Sequence, residues 1–310
     1  MTQGNSIDEA ICWHAGERAV QRTIGADVVF EGLESRIFHT QMSEQQRAFF
    51  AGLSFLVIGS VDGKGGIWAS VVSGRPGFVS SPNVKTLRIG AAPCPDDPAR
   101  EGLSLSASVA LLGIDFATRR RYRFNGHVVN SSQGAIDVRA EQVFGNCPKY
   151  IKVRHFVGKP ASPKAERDLE ELESLEGEAR TLIENAETFF VASYVDLPRV
   201  GRQVDVSHRG GPAGFVRVTD LGLLIVPDYA GNRFFNTLGN FSINPRAGLV
   251  FVDFETGTVL QLSGDVILVL DGPEIDAFPG AERLWKFIPR TIMRRHFAMT
   301  ISGKLASTPD

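Results

Sequence analysis

Cysteine is scarce in this chain of 310 residues, which contains only Cys12, Cys94 and Cys147. The three lie far apart and form no Cys-x-x-Cys pair, which argues against a disulfide scaffold or a zinc ribbon. We therefore predict no metal site and expect a cytoplasmic protein with reduced thiols. The first ten residues, MTQGNSIDEA, agree with this expectation because they lack the basic and apolar regions of a secretory signal.

An excess of one charge is also missing, since 33 Lys and Arg residues face 35 Asp and Glu residues for a net charge of -2. Binding along a duplex needs concentrated basic residues, so we expect no nucleic-acid partner. No run of eighteen apolar residues occurs, and we expect no membrane partner. The 43% hydrophobic content is ample for a core in one large domain or two ordinary ones.

Two parts of the chain resemble each other. FLVIGSVD at 55 matches FFVASYVD at 189, GFV recurs at 77 and 214, and LLGIDFATRRRYRFNGHVV from Leu111 aligns without a gap on LVFVDFETGTVLQLSGDVI from Leu249. The offsets grow in chain order from 134 (189 minus 55) through 137 (214 minus 77) to 138 (249 minus 111), as small loop differences would produce. We infer a tandem duplication.

Each copy is rich in strand-length apolar runs separated by turn residues, a pattern typical of a small β-barrel. We predict a mainly β fold with flanking helices, in which the two copies pair as a pseudo-dimer. The expected order is a helical lead-in (1–40), the first barrel copy (41–159), a linker and helix (160–187) and the second copy (188–310).

Local signals support this order. Ser43 and Gln46 form a capping-box pattern that predicts a helix start. Pro160 and Pro163 indicate an exposed linker, and Leu169, Leu172 and Leu175 fall at helical spacing after it. The segment that contains Arg294 and Arg295 is predicted to be a final strand or helix.

The second copy carries a polar stretch, 204–266, that the first lacks. Within it, VDVSHRGG and GNRFFNTLGN bring together hydroxyl, imidazole, guanidinium and amide side chains: Ser207, His208, Arg209, Asn232, Arg233, Asn236 and Asn240. We predict that Asn232 caps a helix whose first turn holds Arg233, with Asn236 and Asn240 one turn apart on one face.

A helix N-terminus offers free N–H groups and a favourable dipole to a phosphate, and an arginine can grip the same group. The matching segment of the first copy, GAAPCPDDPAREGLSL, is proline-rich and acidic, and predicts neither an ordered helix nor an anion site. We therefore predict an anion pocket in the second copy alone. Taken one at a time, a Gly-Asn turn and exposed asparagines are also ordinary capping and surface features.

These motifs resemble the pyridoxamine 5′-phosphate oxidase-like, FMN-binding split barrels. The resemblance rests on FFVASYVD, VDVSHRGG, GFVRV, LGLLIVPDYAGNRFFNTLGN and NPRAGLVFVDF, and it covers roughly 38–129 and 188–269. The arrangement is similar to a tandem subgroup often fused to a ferredoxin-reductase-like module with an iron–sulfur domain. We expect no such module within these 310 residues, since three cysteines cannot supply the four thiolates of a cluster.

The resemblance implies two tandem split barrels with FMN in a groove between them. It implies flavin contacts from Ser207, His208 and Arg209, and phosphate contacts from Asn232 and Arg233. Further residues are implied along the helix, across the interface and on the opposing barrel: Asn236, Asn240, Gln261, Trp68, Ser70 and Ser73. His208 is also the predicted acid–base residue, because the pKa range of an imidazole suits that role.

The function implied is a flavin-dependent oxidoreductase that acts on a small molecule, or passes on electrons from NADH, NADPH or a separate reductase. We include a homodimer among the expected partners. Two alternatives stay open, a split barrel that binds haem or a deazaflavin, and a non-catalytic flavin-binding redox partner or sensor. Pyridoxamine phosphate is not implied as the substrate, because Arg294–His296 only superficially matches the oxidase's C-terminal pattern.

Overall fold

Strands rich in β-branched and aromatic residues build most of the molecule. The structure is a computed structural model that describes residues 13–132, 134–158, 169–296, 298–299 and 301–305, with 302–305 as backbone only. Cys12, residues 160–168 of the predicted linker and the last five residues lie outside the described ranges.

Short helices accompany the two sheets. They are α1 (Ala15–Arg22), α2 (Ala26–Phe30), α3 (Glu34–Ile37), α4 (Glu44–Ala51), α5 (Gly177–Asn185) and α6 (Asn236–Ile243), with 3₁₀ helices at Pro98–Leu103 and Pro273–Ala277. The strands are β1 (Phe55–Val61), β2 (Ile67–Ser73), β3 (Val79–Asn83), β4 (Thr86–Ile89), β5 (Ser108–Asp115), β6 (Arg120–Ser132), β7 (Ala135–Gly145), β8 (Arg154–Gly158), β9 (Leu169–Glu171), β10 (Thr188–Leu197), β11 (Gly201–Gly210), β12 (Arg217–Val218), β13 (Leu224–Tyr229), β14 (Arg246–Val252), β15 (Val259–Val269), β16 (Ala281–Arg295) and β17 (Ile301–Leu305).

The two halves share one strand order. The first sheet runs β2-β1-β5-β6-β7-β4-β3, and the second runs β11-β10-β14-β15-β16-β13-β12, with β9 added beside β16. The second order repeats the first strand by strand, and β8 and β17 form a separate pair. This confirms the predicted fold class, a mainly β chain with two tandem split barrels.

The first strands of the two copies are one residue out of register in the sequence alignment. Leu56 points into the first barrel's core while Phe55 lies between the barrels. In the second copy Phe189 is the core residue, and Phe190 lies between the barrels. Leu56 is therefore equivalent to Phe189, at an offset of 133 (189 minus 56) rather than 134. Identity matching missed the slip, because it cannot detect that a one-residue shift turns every side chain to the opposite face.

The described residues form three large apolar cores. One fills each barrel, and a third joins them through buried residues of β1, β2, β10 and β11, among them Val57, Ala69, Ala192 and Val206. Their fully buried side chains supply the non-directional part of the stability. Because this third core is continuous, residues from different halves are held at fixed positions in the grooves beside it.

The lead-in packs on the second barrel through α1. A Cβ at Gly16 would lie 2.3 Å from the carbonyl oxygen of Gly239 in α6, so only glycine permits this approach. His14 Nε2 lies 2.8 Å from Asn240 Oδ1, and Gln21 Nε2 donates to the Phe234 carbonyl at 3.2 Å. These contacts fix the position of α6 from outside the barrel.

The structure tests three local predictions. The capping box of Ser43 and Gln46 is confirmed at the start of α4. The helical spacing at Leu169 was misleading, because 169–171 forms β9 and satisfies the edge of β16, and α5 begins only at Gly177. The acidic segment of the first copy does contain a helical turn, since Asp97 caps the 3₁₀ helix Pro98–Leu103 and Pro98 stands at its first turn.

Candidate anion-binding site

A cavity of about 90 Å³ lies where β11 and α6 of the second half meet β6 of the first. We call it the cationic groove, after the guanidinium groups of Arg121, Arg123 and Arg209 that line it. Six residues predicted from the sequence line it as well: Ser207, His208, Arg209, Asn232, Arg233 and Asn236. The structure thus brings together the polar strand end and the segment before α6.

Arg123 reaches the groove from the opposite half and is 8% exposed. Its Nη1 donates to Asp205 Oδ1 and Asn236 Oδ1, both at 2.8 Å, and its Nη2 donates to Ser207 Oγ at 2.5 Å. Asp205 balances its charge, while Nε is buried without a hydrogen-bond partner. Three hydrogen bonds thereby fix the guanidinium, and one of its nitrogens, Nε, has no partner.

Arg121, two residues earlier on the same strand face, has a different environment. Its Nη1 lies 3.0 Å from His208 Nδ1, and its Nε is buried without a partner. Among the residues that the structure describes, no carboxylate forms an ion pair with it. Burial, together with Arg123 and Arg209, lowers the pKa of Arg121 to about 9, so it is still a cation at neutral pH. A nearly buried cation without an anionic partner is costly unless an anion binds.

His208 is the neutral partner of Arg121. The ring is 6% exposed, and its Nε2 lies 3.3 Å from Thr188 Oγ1. Burial, followed by the charges of Arg121 and Arg209, lowers the pKa of His208 well below 6.5. The neutral ring therefore accepts from Arg121 through Nδ1 and donates through Nε2. Its predicted acid–base role stays a prediction, and these surroundings favour a role in orienting Arg121.

Arg209 closes the groove on the side of the second barrel. Its Nη1 donates to Asp228 Oδ1 at 2.7 Å, and Arg283 reaches the other oxygen of the same carboxylate at 3.3 Å. Asp228 thus serves two guanidinium groups, and Arg209 Nε is buried without a partner. Two exposed cations, Lys149 and Arg233, line the mouth. Positive charge therefore exceeds negative charge around the cavity.

The start of α6 differs from the prediction. The helix begins at Asn236, and its N-cap is Phe235, in the left-handed region at φ 59° with no side-chain cap. Asn232 instead accepts from Phe234 N at 3.1 Å and donates to Asn146 Oδ1 at 2.6 Å. Arg233, at φ 61°, precedes the helix. A tight turn precedes α6 where a side-chain cap was predicted. The first N–H groups of the helix therefore have no side-chain acceptor.

The two asparagines of α6 have mainly internal partners. Asn236 lines the groove, but its Oδ1 accepts from Arg123 and its Nδ2 donates to Glu17 of α1. Asn240 binds His14 and Ser193 and does not line the cavity. Burial raises the pKa of Glu17, which is 5% exposed. The lead-in therefore positions α6 and, through Asn236, the guanidinium of Arg123.

The other four predicted residues lie away from the cationic groove. Gln261 Nε2 donates to Ala69 O at 3.0 Å and to Asp97 Oδ1 at 3.1 Å, and Ser70 Oγ donates to Asp97 Oδ2 at 2.5 Å. Trp68 Nε1 donates to Asp62 Oδ2 at 2.9 Å, and Ser73 ends β2. Ser70 and Gln261 meet where β15 approaches β2, which is the equivalent of the approach of β6 to β11; we call this region the second groove.

Sequence reasoning missed five lining residues from the first half: Arg121, Arg123, Asn146, Lys149 and Tyr150. A signal for two of them was present. Arg121 and Arg123 alternate along RRRYR and so share one strand face, and in the gapless alignment they stand opposite Val259 and Gln261. Comparing the copies at that point, and not only around α6, would have shown a basic strand in the first half.

The mouth of the groove is aromatic. The rings of Tyr150 and Tyr229 stack with centroids 5.5 Å apart, and Tyr150 Oη donates to Ala230 O at 3.0 Å.

Among the described residues, no group of three or more His, Cys, Asp or Glu side chains could hold a metal ion. Within the same ranges, no helix has the length and apolar character needed to cross a membrane.

Solved structures with a similar fold come from several bacteria. A candidate pyridoxamine 5′-phosphate oxidase from Lactobacillus delbrueckii is 15% identical, with 35% of this chain and 98% of that chain covered at a TM-score of 0.28. The haem storage protein HutZ from Vibrio cholerae is 14% identical, with 40% of this chain and 95% of that chain covered at a TM-score of 0.28. An FAD-binding protein from Mesorhizobium loti is 14% identical, with 41% of this chain and 97% of that chain covered at a TM-score of 0.30.

No model of a protein family matches the chain, and no curated protein matches it. The structural similarities are too distant to indicate a ligand or a reaction, and they concern the fold type alone. At the level of fold, the chain is a tandem of two split β-barrels. Its candidate site is a groove lined by more guanidinium groups than carboxylates.

Proposed function

We propose that the cationic groove binds the phosphate of FMN and that the chain is an FMN-dependent oxidoreductase. The observation that carries the proposal is Arg121, a nearly buried cation whose side-chain partner is a neutral imidazole. A phosphate dianion would compensate this charge and accept from the guanidinium in a charge-assisted hydrogen bond.

The donors around the groove fit a phosphate. Buried nitrogens without partners belong to four lining residues: Arg121 Nε, Arg123 Nε, Arg209 Nε and Asn146 Nδ2. The uncapped start of α6 adds backbone N–H groups and the positive end of its dipole. A phosphate dianion has more acceptor oxygens and more negative charge than a carboxylate or chloride, so it can accept from more of these donors at once.

Bound flavin would supply the redox chemistry, and the chain would supply binding and charge. In this proposal Arg121 and Arg123 hold the phosphate, while neutral His208 and Asn236 keep the two guanidinium groups in place. Tyr150 and Tyr229 border the mouth, where a planar ring can pack. Electrons would come from NADH, NADPH or a separate reductase, and a small molecule would be the substrate or acceptor. A cytoplasmic location and a homodimer stay predictions.

The haem alternative has less support. Both ring nitrogens of His208 are engaged, by Arg121 and Thr188, so this imidazole offers no free ligand to iron. A deazaflavin and a non-catalytic redox partner or sensor are still alternatives, since either would use the same anion site. An absorption spectrum separates the cofactors, and reduction of bound flavin by NADH or NADPH alone separates an enzyme from a partner that needs a reductase.

The direct test is a spectrum of the purified protein with mass identification of the released ligand. We expect an oxidised-flavin spectrum and the mass of FMN. Arg121→Met should be purified largely without flavin. Arg139→Met, which removes an exposed arginine of β7 outside the groove, should keep it. Full flavin occupancy in Arg121→Met, or a Soret band in the unchanged protein, would refute the proposal.

A further inference from the structure

The second groove is related to the cationic groove residue by residue. Leu56 pairs with Val72, and its equivalent Phe189 pairs with Arg209, so Ser70 in β2 corresponds to Ser207 in β11. Likewise, Leu111 pairs with Phe124 and Leu249 with Leu262, so Gln261 in β15 corresponds to Arg123 in β6. The 3₁₀ helix Pro98–Leu103 takes the place of α6.

This second groove is filled from within the chain. The carboxylate of Asp97 is 8% exposed and accepts from three donors. Ser70 Oγ donates at 2.5 Å, Gln261 Nε2 at 3.1 Å and the backbone N–H of Ala99 at 2.9 Å. A hydroxyl, a side chain from the opposite half and a helix start thus surround one anionic group. We call these residues the acid-filled groove.

The same three kinds of donor meet in the cationic groove. Ser207, Arg123 and the start of α6 occupy the equivalent positions there. The carboxylate that Ser207 and Arg123 contact is Asp205 of β11, and the residue before α6, Phe235, provides no side-chain acceptor. The helix cap is therefore an acid in one groove and absent in the other. We propose that the acid-filled groove is a second anion site, one selective for a carboxylate, and that Asp97 is its permanent occupant.

The charges explain why this site suits a single negative charge. Gln261 replaces Arg123, and Val259 replaces Arg121, so two of the cations that favour a phosphate dianion are absent. Burial raises the pKa of Asp97, while the hydrogen bonds from Ser70, Gln261 and Ala99 and the nearby charge of Arg295 favour its ionised form. Arg295 is 2% exposed and is itself paired with Asp96 at 2.8 Å. A monoanion with two oxygens matches the three donors. Duplication thus left two anion sites, of which only the cationic groove is open to a free ligand.

The test removes the Asp97 carboxylate by mutation and adds formate, a small carboxylate, to the solution. In Asp97→Ala, the donors of Ser70 and Gln261 lose their acceptor, and the space of a carboxylate is left open. Sodium formate should then raise the Tm of this variant on the order of 2–4 °C more than it raises the Tm of the unchanged protein. Sodium chloride at equal ionic strength should give no such difference.

Asp97→Asn is the matched control, because its amide fills the same space and leaves no room for formate. We expect formate to affect its Tm no more than that of the unchanged protein. An equal formate response in Asp97→Ala and the unchanged protein would overturn the proposal. If Asp97→Ala does not fold in chloride, the refolding yield in formate against chloride makes the same comparison, and equal yields overturn it.

The same measurement in the Arg121→Met background removes any contribution from formate in the cationic groove. Formate rescue of Asp97→Ala should persist there, and its loss would place the formate in the cationic groove and overturn the proposal. This outcome does not depend on flavin. The inference about Asp97 can therefore fail while FMN binding stands, and FMN binding can fail while formate still rescues the variant.

Discussion

Arg121 of the first half and His208 of the second meet across the barrel interface, with Nη1 and Nδ1 3.0 Å apart. The guanidinium carries the charge and the imidazole stays neutral, because burial and two arginines lower the pKa of the ring well below 6.5. A cation is thus held by a group that does not neutralise it. Binding of an anion, and not stability of the fold, explains this arrangement best.

Replacing Arg121 should lower the affinity for phosphate and raise the stability of the fold. Arg121→Met removes a buried charge that has no carboxylate partner, so we expect the free energy of unfolding of the ligand-free protein to rise by about 1–2 kcal/mol. Phosphate affinity should fall by about 10- to 100-fold, the value of one charge-assisted hydrogen bond. Urea unfolding and calorimetric phosphate titration measure the two quantities. Arg139→Met should change neither, and unchanged phosphate affinity in Arg121→Met would contradict the assignment.

His208 should make the fold sensitive to mild acid. Its folded pKa lies below 6.5, so the unfolded chain binds the proton more readily. The contribution of His208 to stability is therefore complete above pH 6.5 and falls by about 1.4 kcal/mol per pH unit below it, until the folded pKa is reached. His208→Gln keeps an acceptor for Arg121 and does not titrate. The stability difference between the two proteins should change below pH 6.5, and a constant difference from pH 7.5 to 5 would argue against a buried neutral ring.

Arg123 and Asp205 should be strongly coupled. Arg123→Met leaves the Asp205 carboxylate buried without its cation, and we expect a loss of about 3–5 kcal/mol in the free energy of unfolding. Asp205→Asn in addition should recover a substantial part of that loss, because no buried charge is then uncompensated. A double-mutant cycle measured by urea unfolding gives the coupling energy. Strictly additive losses would mean that the 2.8 Å contact contributes nothing specific.

The close approach of α1 and α6 should be sensitive to a single methyl group. A Cβ at Gly239 would lie 2.6 Å from the backbone Cα of Glu17, so Gly239→Ala must push the two helices apart. We expect a loss of about 1–3 kcal/mol in stability, together with weaker phosphate binding as the start of α6 shifts. Gly52→Ala is the control, since its Cβ would make only ordinary contacts at 3.6 Å. Equal Tm values for the two variants would exclude this role of α1.

Much of the fold could be predicted because its signals are local. Strand alternation, the Ser43 capping box and the gapless repeat from Leu111 to Leu249 each depend on near neighbours in sequence. The register of β1 could not be predicted from identities, because Phe55 and Phe189 match as residue types but face different cores. The strand at Leu169 depends on a free edge of β16 more than a hundred residues away.

The site was predicted only on one side of the interface. The second copy supplied Ser207, His208 and Arg209, but the cations that cross from the first copy are Arg121 and Arg123. Gln261 was the expected cross-interface contact, and it is the equivalent of Arg123 in the other groove. Two equivalent grooves exist, and which strand faces which groove depends on how the halves dock. That docking follows from packing between the barrels and leaves no local pattern in the sequence.

The most direct test of the phosphate assignment compares FMN with riboflavin, which has the same ring system without the phosphate. Fluorescence titration of the ligand-free protein should give an affinity for FMN at least about 100-fold greater than for riboflavin, or about 3 kcal/mol. In Arg121→Met the ratio of the two affinities should fall by about 10- to 100-fold. Equal affinities for FMN and riboflavin in the unchanged protein would contradict the claim that the groove formed by Arg121, Arg123 and α6 holds a phosphate.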